Sequence, residues 1–215
     1  LIIISLLSNE EQLKKKIKTM KNLNTPSIYD RGFIGEGQYK PTYKSKRTEA
    51  YRAWTSMFLR CYDAKFHLSN PTYKGCTVHP SWFNFQNFAK WFYEKYKGGF
   101  QLDKDIKFKG NKVYSEHRCS LVPKFINGVL SARGNGRGSL PIGVIYHKAA
   151  RKFVAQINIR GKRKHLGSYD NPKQAFIAYK EAKEDYIKEV AEEYKNVLES
   201  MVYECLIRYE IEIHD

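Results

Sequence analysis

The spacing of hydrophobic positions divides the chain into stretches of different period. From Thr48 to Tyr62, residues Tyr51, Trp54, Phe58 and Cys61 recur at helical spacing, and from Asn84 to Tyr96 Phe85, Phe88 and Phe92 do the same. Two amphipathic helices are predicted there. Aromatic stripes of this kind could serve as a base-stacking platform, but at helical spacing they are read as core. Before the first helix, Gly, Pro and Lys dominate Tyr29 to Arg47, which reads as an irregular basic arm. Between the helices, Ala64 to Ser81 reads as a long loop containing Asn70-Pro71 and Lys74-Gly75.

After Gly98-Gly99 a strand is expected to end in Leu102–Ile106, followed by a turn at Lys109–Lys112 and a second strand over Arg118–Val122. Pro123 then opens a helix carrying Asn127. From Pro141 onward the period becomes two. Val144 and Tyr146 alternate with Ile145 and His147, and Phe153, Ala155 and Ile157 alternate with Val154, Gln156 and Asn158. Arg160-Gly161 supplies a tight turn, so three short antiparallel strands are expected. Asn171-Pro172-Lys173-Gln174 opens a long helix, with Asn171 as N-cap and Pro172 at the first helical position. One strand face (Val144, Tyr146, Phe153, Ala155, Ile157, Leu166) is expected to pack on that helix. The other (His147, Lys152, Gln156, Asn158, Arg160, Arg163, His165) is polar and cationic. On the helix, Ala175, Tyr179, Ala182 and Tyr186 form the covering stripe, with Glu181, Glu184 and Asp185 outside it. Tyr194, Val197, Leu198 and Met201 continue the apolar pattern into a tail expected to fold back or meet a second copy. The fold class is α+β.

Charge sharpens this picture. The 215 residues carry a net charge of +16, distributed unevenly. Residues 140–169 contain seven Lys or Arg and no acid, whereas 170–215 contain six basic and twelve acidic residues. A basic sheet beside an acidic helix favours a polyanionic partner, and double-stranded DNA fits a three-stranded ribbon with a cationic face. No apolar run is long enough for a membrane span, so no membrane partner is expected. The four cysteines form no C-x-x-C pair, which argues for reduced thiols in a cytoplasmic protein. The chain begins without Met, and residues 1–19 are expected to lie upstream of a start at Met20.

Two stretches resemble known families. G-V-x-Y-x-x-x-x-x-K-F-x-A-Q-I followed by K-x-L-G-S-Y-D-N-P-K-Q-A-F-I-A-Y-K-E-A looks like the Apetala-2/ethylene-response-factor DNA-binding domain. The resemblance implies that the outer sheet face reads the major groove through Ile145, His147, Gln156, Asn158, Arg163 and His165. Lys152, Lys162 and Lys164 are expected to add affinity, and Arg160 is a further DNA-binding candidate on the same polar face. Ile145 and His147 stand where arginines are usual, and His165 where a tryptophan is usual. The basic linker Arg133-Gly134-Asn135-Gly136-Arg137 suits a segment lying along the duplex.

The second stretch, L-D-K-D-I-K-F-K-G-N-K-V-Y-S-E-H-R-C-S-L-V-P-K-F-I-N, resembles the ββα-metal finger of HNH endonucleases, and with R-C-Y, N-P-T-Y-K-G-C-T-V and W-F-N-F-Q-N-F the proteins of phage homing endonucleases. The resemblance implies Asp103 and Asn127 as ligands of one divalent metal, Mg²⁺ by preference, and Asn111 as the loop Asn. Lys104 stands where the general-base His is usual, with His117 as the nearby imidazole. Metal-assisted phosphodiester hydrolysis wants hard oxygen ligands and a base near neutrality. The same residues also suit a scaffold in which Asn111 caps a turn and Asn127 satisfies backbone. The expected organisation is a basic arm (1–47), an HNH-like domain (48–132), a linker (133–139), an Apetala-2-like domain (140–193) and a helical tail (194–215). The expected function is a homing-type, sequence-specific DNA endonuclease in a bacterial host or encoded by a phage. The alternative is a non-cleaving DNA-binding regulator.

Overall fold

The computed structural model describes residues 12–14, 17, 22–131 and 140–213; Met20, Arg133, Arg137 and the linker between the predicted modules lie outside the described residues. Helices and strands are mixed, with one three-stranded antiparallel sheet. The chain divides into two compact units, 1–121 and 122–215.

The first unit is built on two stripes of aromatic residues that pack together, Tyr51 and Trp54 against Phe85. Helix α1 (Glu49–Tyr62) starts at Thr48, whose side chain accepts from the Tyr51 N–H. It stops at Asp63, which in turn caps α2 (Ala64–Ser69) by accepting from the Phe66 N–H at 2.7 Å. This second helix occupies the start of the predicted loop. It buries none of its residues, so it leaves no hydrophobic period in the sequence. Helix α3 (Phe85–Lys95) is capped by Asn84, whose side chain accepts from the Gln86 N–H. Trp54, Phe58, Phe85 and Phe88 have no exposed surface. Burial of each such side chain contributes roughly 2–3 kcal/mol, and none is available to stack on a base. The Trp54 indole N–H donates to the Trp82 carbonyl at 2.7 Å, so its polar atom is satisfied inside the core.

The segment expected to be an irregular arm is ordered. Phe33 bridges Asn84 in parallel, and Gln86, itself buried, holds both ends of the next stretch. Its amide donates to the Ile34 and Tyr39 carbonyls and accepts from the Tyr39 N–H at 3.0 Å. A two-residue-per-arm hairpin follows, β1 (Thr42–Tyr43) against β2 (Lys46–Arg47). The tethers from Asn84 and Gln86 reach 47 to 52 positions along the chain, which no local pattern reveals. Strand β3 (Thr77–Val78) pairs in parallel with β5 (Val113–Tyr114). Strand β4 (Phe100–Asp103) pairs with β6 (Ser120–Pro123), which starts two residues later than the expected 118.

In the second unit, α4 (Lys124–Leu130) follows β6 directly. Strands β7 (Val144–His147), β8 (Lys152–Ile159) and β9 (Lys162–Tyr169) form the antiparallel sheet in that order. Its inner face packs on α5 (Pro172–Glu193), where Ala175, Phe176, Tyr179 and Tyr186 are buried against Val144, Ala155 and Ile157 in the same core. Gly143 permits the closest approach. Its φ is +74°, and a Cβ there would stand 2.0 Å from the Tyr179 ring. Tyr146, expected inside, is 46% exposed and packs on Phe153 with ring centroids 5.1 Å apart. Ala182 is half-buried.

The tail folds back as α6 (Ser200–Ile207) on α5, but with other residues inward than expected. Val202, Leu206 and Ile211 are buried, whereas Val197 and Met201 are exposed. Glu184, expected outside the packed stripe, anchors this return. It accepts from Lys180 Nζ and from the Ile211 N–H at 2.8 Å. Burial opposes its charge, but these bonds win and hold its carboxyl below the ordinary range. No helix among the described residues is long and apolar enough to cross a membrane.

Candidate nucleic-acid interface

Strand register decides which side chains share the outer face. Ile145 lies opposite Val154 and His147 opposite Lys152. Between β8 and β9 the pairing shifts, so that Ala155 faces Gly167 but Gln156 faces His165, leaving Leu166 as an extra residue. Because side chains alternate with period two, this bulge turns His165 and Arg163 to the face of Gln156 and Asn158. In unshifted pairing, Leu166 and Lys164 would hold those places. Ile145, His147, Lys152, Gln156, Asn158, Arg163 and His165 therefore lie on one surface, as expected. Ile145, His147, Asn158, Arg163 and His165 are exposed, while Lys152 and Gln156 are half-buried.

Several of these side chains are oriented by short-range bonds. His147 Nδ1 accepts from the Ala150 N–H at 3.2 Å, which leaves the proton of the neutral ring on Nε2. His165 Nε2 lies 3.3 Å from Ser168 Oγ. Lys152 Nζ pairs with Asp170 at 2.6 Å on the rim. A surface with imidazole, amide and guanidinium groups side by side can donate to and accept from base edges.

Three predicted contacts lie elsewhere. Lys164 pairs with Ile157 and Lys162 with Ile159, so both point to the opposite side, exposed at the end of the edge strand. Arg160, expected on the outer face, sits in the β8–β9 turn with φ +50°. Its guanidinium pairs with Glu193 and lies 5.2 Å from the Phe125 ring. That pairing raises its pKa, the hydrogen bond it donates to Glu193 being the main cause. The acidic helix thus claims Arg160.

The segment expected to carry catalysis is a loop closed on itself. Asp103 Oδ1 accepts from the Asp105 and Ile106 N–H groups at 2.8 and 2.7 Å. Burial pushes the Asp103 carboxyl up, against the lowering effect of those two bonds. Asn111 is buried, and its amide donates to the Lys104 and Val113 carbonyls at 2.9 and 2.8 Å. Its oxygen accepts from the Val113 N–H and from Arg118. Lys104 Nζ returns the contact, donating to the Asn111 carbonyl at 2.7 Å and to both Asp105 oxygens at 2.6 and 2.8 Å. Three donated bonds are the full capacity of an ammonium, so none is left over for a further partner. Lys104 in the base position is thus a fixed cation in this loop. Asp105 and Arg118, which complete the network, carried no sequence signal beyond their proximity to Lys104 and Asn111.

Surroundings of the loop are equally closed. Arg60 stays charged despite burial, because Tyr114, Tyr73 and Asp103 lie near enough to favour the cation. Burial pushes the Cys61 and Cys119 thiols up to about 12 and raises Cys76 as well. His117 is exposed on the turn before β6. Asp103 belongs to the first unit and Asn127 to the second, where Asn127 is half-buried on α4 and its carbonyl accepts from Ser131.

A divalent cation such as Mg²⁺ takes about six oxygen ligands and prefers carboxylates. Here Asp103 Oδ1 is matched to two backbone N–H groups, and both oxygens of the adjacent Asp105 already serve the Lys104 ammonium, a set that does not fit a second cation. Among the described residues, no group of three or more His, Cys, Asp or Glu is placed to hold a metal ion. Compared with known proteins, the chain matches no family model, no curated protein and no solved structure.

Proposed function

We propose that this chain is a duplex-DNA-binding protein that reads its site through the outer face of β7–β9. One observation carries the reading: the β-bulge at Leu166 turns Arg163 and His165 to the face of His147, Gln156 and Asn158, a surface that bears no carboxylate of its own strands. Arg163, Gln156 and Asn158 have the geometry for bidentate contacts with base edges, worth roughly 1–3 kcal/mol of discrimination each. Lys152, on the rim of the same face, contributes charge toward phosphates, whereas Lys162 and Lys164 point to the other side.

For the 103–130 segment, the hydrogen bonding favours a non-cleaving role, a latch that stabilises the first unit. The homing-endonuclease reading keeps Asp103 and Asn127 as ligands of one divalent ion and rests on the layout of the sequence. It requires the closed Asp103–Lys104–Asn111 loop to rearrange.

The test combines two assays on the full chain. Anisotropy titration on a selected duplex should show a log-log salt slope steeper than about −4. Gln156→Ala and Arg163→Ala should narrow the gap between selected and random DNA. A flat salt response refutes the DNA reading, and equal loss on both duplexes refutes the assignment of the reader. Incubation of plasmid with Mg²⁺ or Mn²⁺ then decides the second question. Nicking that disappears in Asp103→Asn establishes the endonuclease, and intact plasmid leaves the binding protein.

A further inference from the structure

We propose that the β1–β2 hairpin in the first unit is a second duplex-contacting element, set on backbone phosphates by Lys40, Lys44, Lys46 and Arg47. The inference rests on the DNA-binding reading above and adds to it a contact far from the sheet in sequence.

Four features of the hairpin point to this partner. Between Glu36 and Glu49 the sequence holds four cations and no acid, and Glu49 is itself paired with Arg52 at 3.0 Å. Every residue from Thr42 to Arg47 is exposed. The hairpin is also held firmly at its base. Gln86 grips Tyr39, while Thr48, the N-cap of α1, donates to the Lys40 and Pro41 carbonyls and takes its own N–H to Pro41 at 2.9 Å. It is a fixed projection from a packed core.

The turn residues are the fourth feature. Lys44 and Ser45 have φ of +46° and +61°, the conformation of a two-residue turn that strongly favours Asn-Gly. A lysine at the apex is a poor choice for the turn and a good one for presenting charge. Beside it, Tyr43 is 69% exposed, with the Lys44 ammonium 5.5 Å from its ring centroid. Arg47 lies similarly over Tyr51 at 5.9 Å. Aromatic faces thus steady these cations where carboxylates would neutralise them. A narrow two-stranded ribbon of this kind with a cationic tip matches the regular negative charge of a duplex.

The test uses the full chain, a selected duplex and a random-sequence duplex, and the double variant Lys44→Asn/Lys46→Thr. Asn suits the turn better than Lys, and Thr suits a strand, so the fold is preserved; circular dichroism and melting check this directly. The expected result is a loss of affinity of roughly tenfold per removed phosphate contact, equal on both duplexes, with the salt slope shallower by about 0.9 per lysine. Unchanged affinity and slope in the hairpin variant, while Arg163→Ala loses selectivity, overturns the hairpin contact and leaves the sheet reader standing. Absence of duplex binding by the wild-type chain overturns both. A loss confined to the selected duplex also overturns the proposal, since phosphate contacts carry no sequence.

Discussion

Asn111→Ala isolates the structural role of the closed loop. The side chain makes four hydrogen bonds, two donated to the Lys104 and Val113 carbonyls and two accepted from the Val113 N–H and Arg118. With the amide gone, buried backbone groups of Lys104 and Val113 lose partners that water cannot easily replace, because Asn111 is 95% shielded from solvent at 5% exposure. Net loss is about 1 kcal/mol per bond, and a stranded buried group costs about 1–3 kcal/mol. These bonds are coupled, so the total is placed at about 3–4 kcal/mol. For a unit of this size that corresponds to a melting shift on the order of 10 °C. Calorimetry of the full chain reads it directly. Asn111→Asp is the control: it keeps the acceptor oxygen, lacks both donors at neutral pH, and should recover part of the loss in acid, where a neutral carboxyl donates one bond. Binding to DNA through the sheet should survive in both variants below their melting temperatures. A shift of less than about 1 kcal/mol for Asn111→Ala would refute the latch.

Two further outcomes follow from packing and burial. Gly143→Ala forces a Cβ to within 2.0 Å of the Tyr179 ring at a φ of +74°, so the sheet must part from α5 locally. A loss of about 2–4 kcal/mol is expected in urea unfolding, and a change under about 0.5 kcal/mol would contradict the observed contact. Thiol chemistry gives a sharper contrast. Cys61 and Cys119, held near 12, and the raised Cys76 are buried, whereas Cys205 is partly exposed. In mildly alkaline thiol-reagent assays the native protein should react at Cys205 first, and the other three should react at the rate of unfolding. Rapid modification of more than one cysteine in the folded state would show the first unit to be open.

What was legible in the sequence was local. The period-two strands, the Arg160-Gly161 turn, the Asn171-Pro172 helix start and the two aromatic helices all arise from neighbouring residues, and each is found where the pattern put it. Contacts between distant segments were not legible. Gln86 ordering residues 34–39, Val113–Tyr114 pairing with Thr77–Val78, and Glu184 capturing the tail at Ile211 join positions 27 to 52 residues apart. The polar outer face was visible because alternation sorts the residues within each strand, while the bulge that aligns β9 with β8 was not. In the loop, the sequence put a Lys where a general-base His is usual and left open a scaffold; the three oxygen acceptors around Lys104, which set it as an internal counter-charge, were not legible beyond the neighbouring Asp105.

Cations of the same type thus serve opposite ends, and the placement of acids determines which. Lys104 has Asp105 beside it, Arg160 has Glu193 and Lys180 has Glu184, and each of these bonds fastens a loop or a helix. Arg163, Lys44 and Lys46 stand in stretches without acids, on an exposed strand face and an exposed hairpin tip. The twelve acidic residues after residue 169 lie mostly on α5 and the tail, on the element that covers the inner side of the sheet. They set negative charge behind the sheet, on the side where Lys162 and Lys164 also point, and leave Arg163 on an outer face whose strands carry no acid; in the proposed reading this gives attraction to a duplex a direction. A uniformly basic protein of net charge +16 would bind DNA in many orientations. Under the proposed DNA-binding reading, segregation of the acids behind the sheet favours the orientation in which His147, Gln156, Asn158, Arg163 and His165 meet the groove.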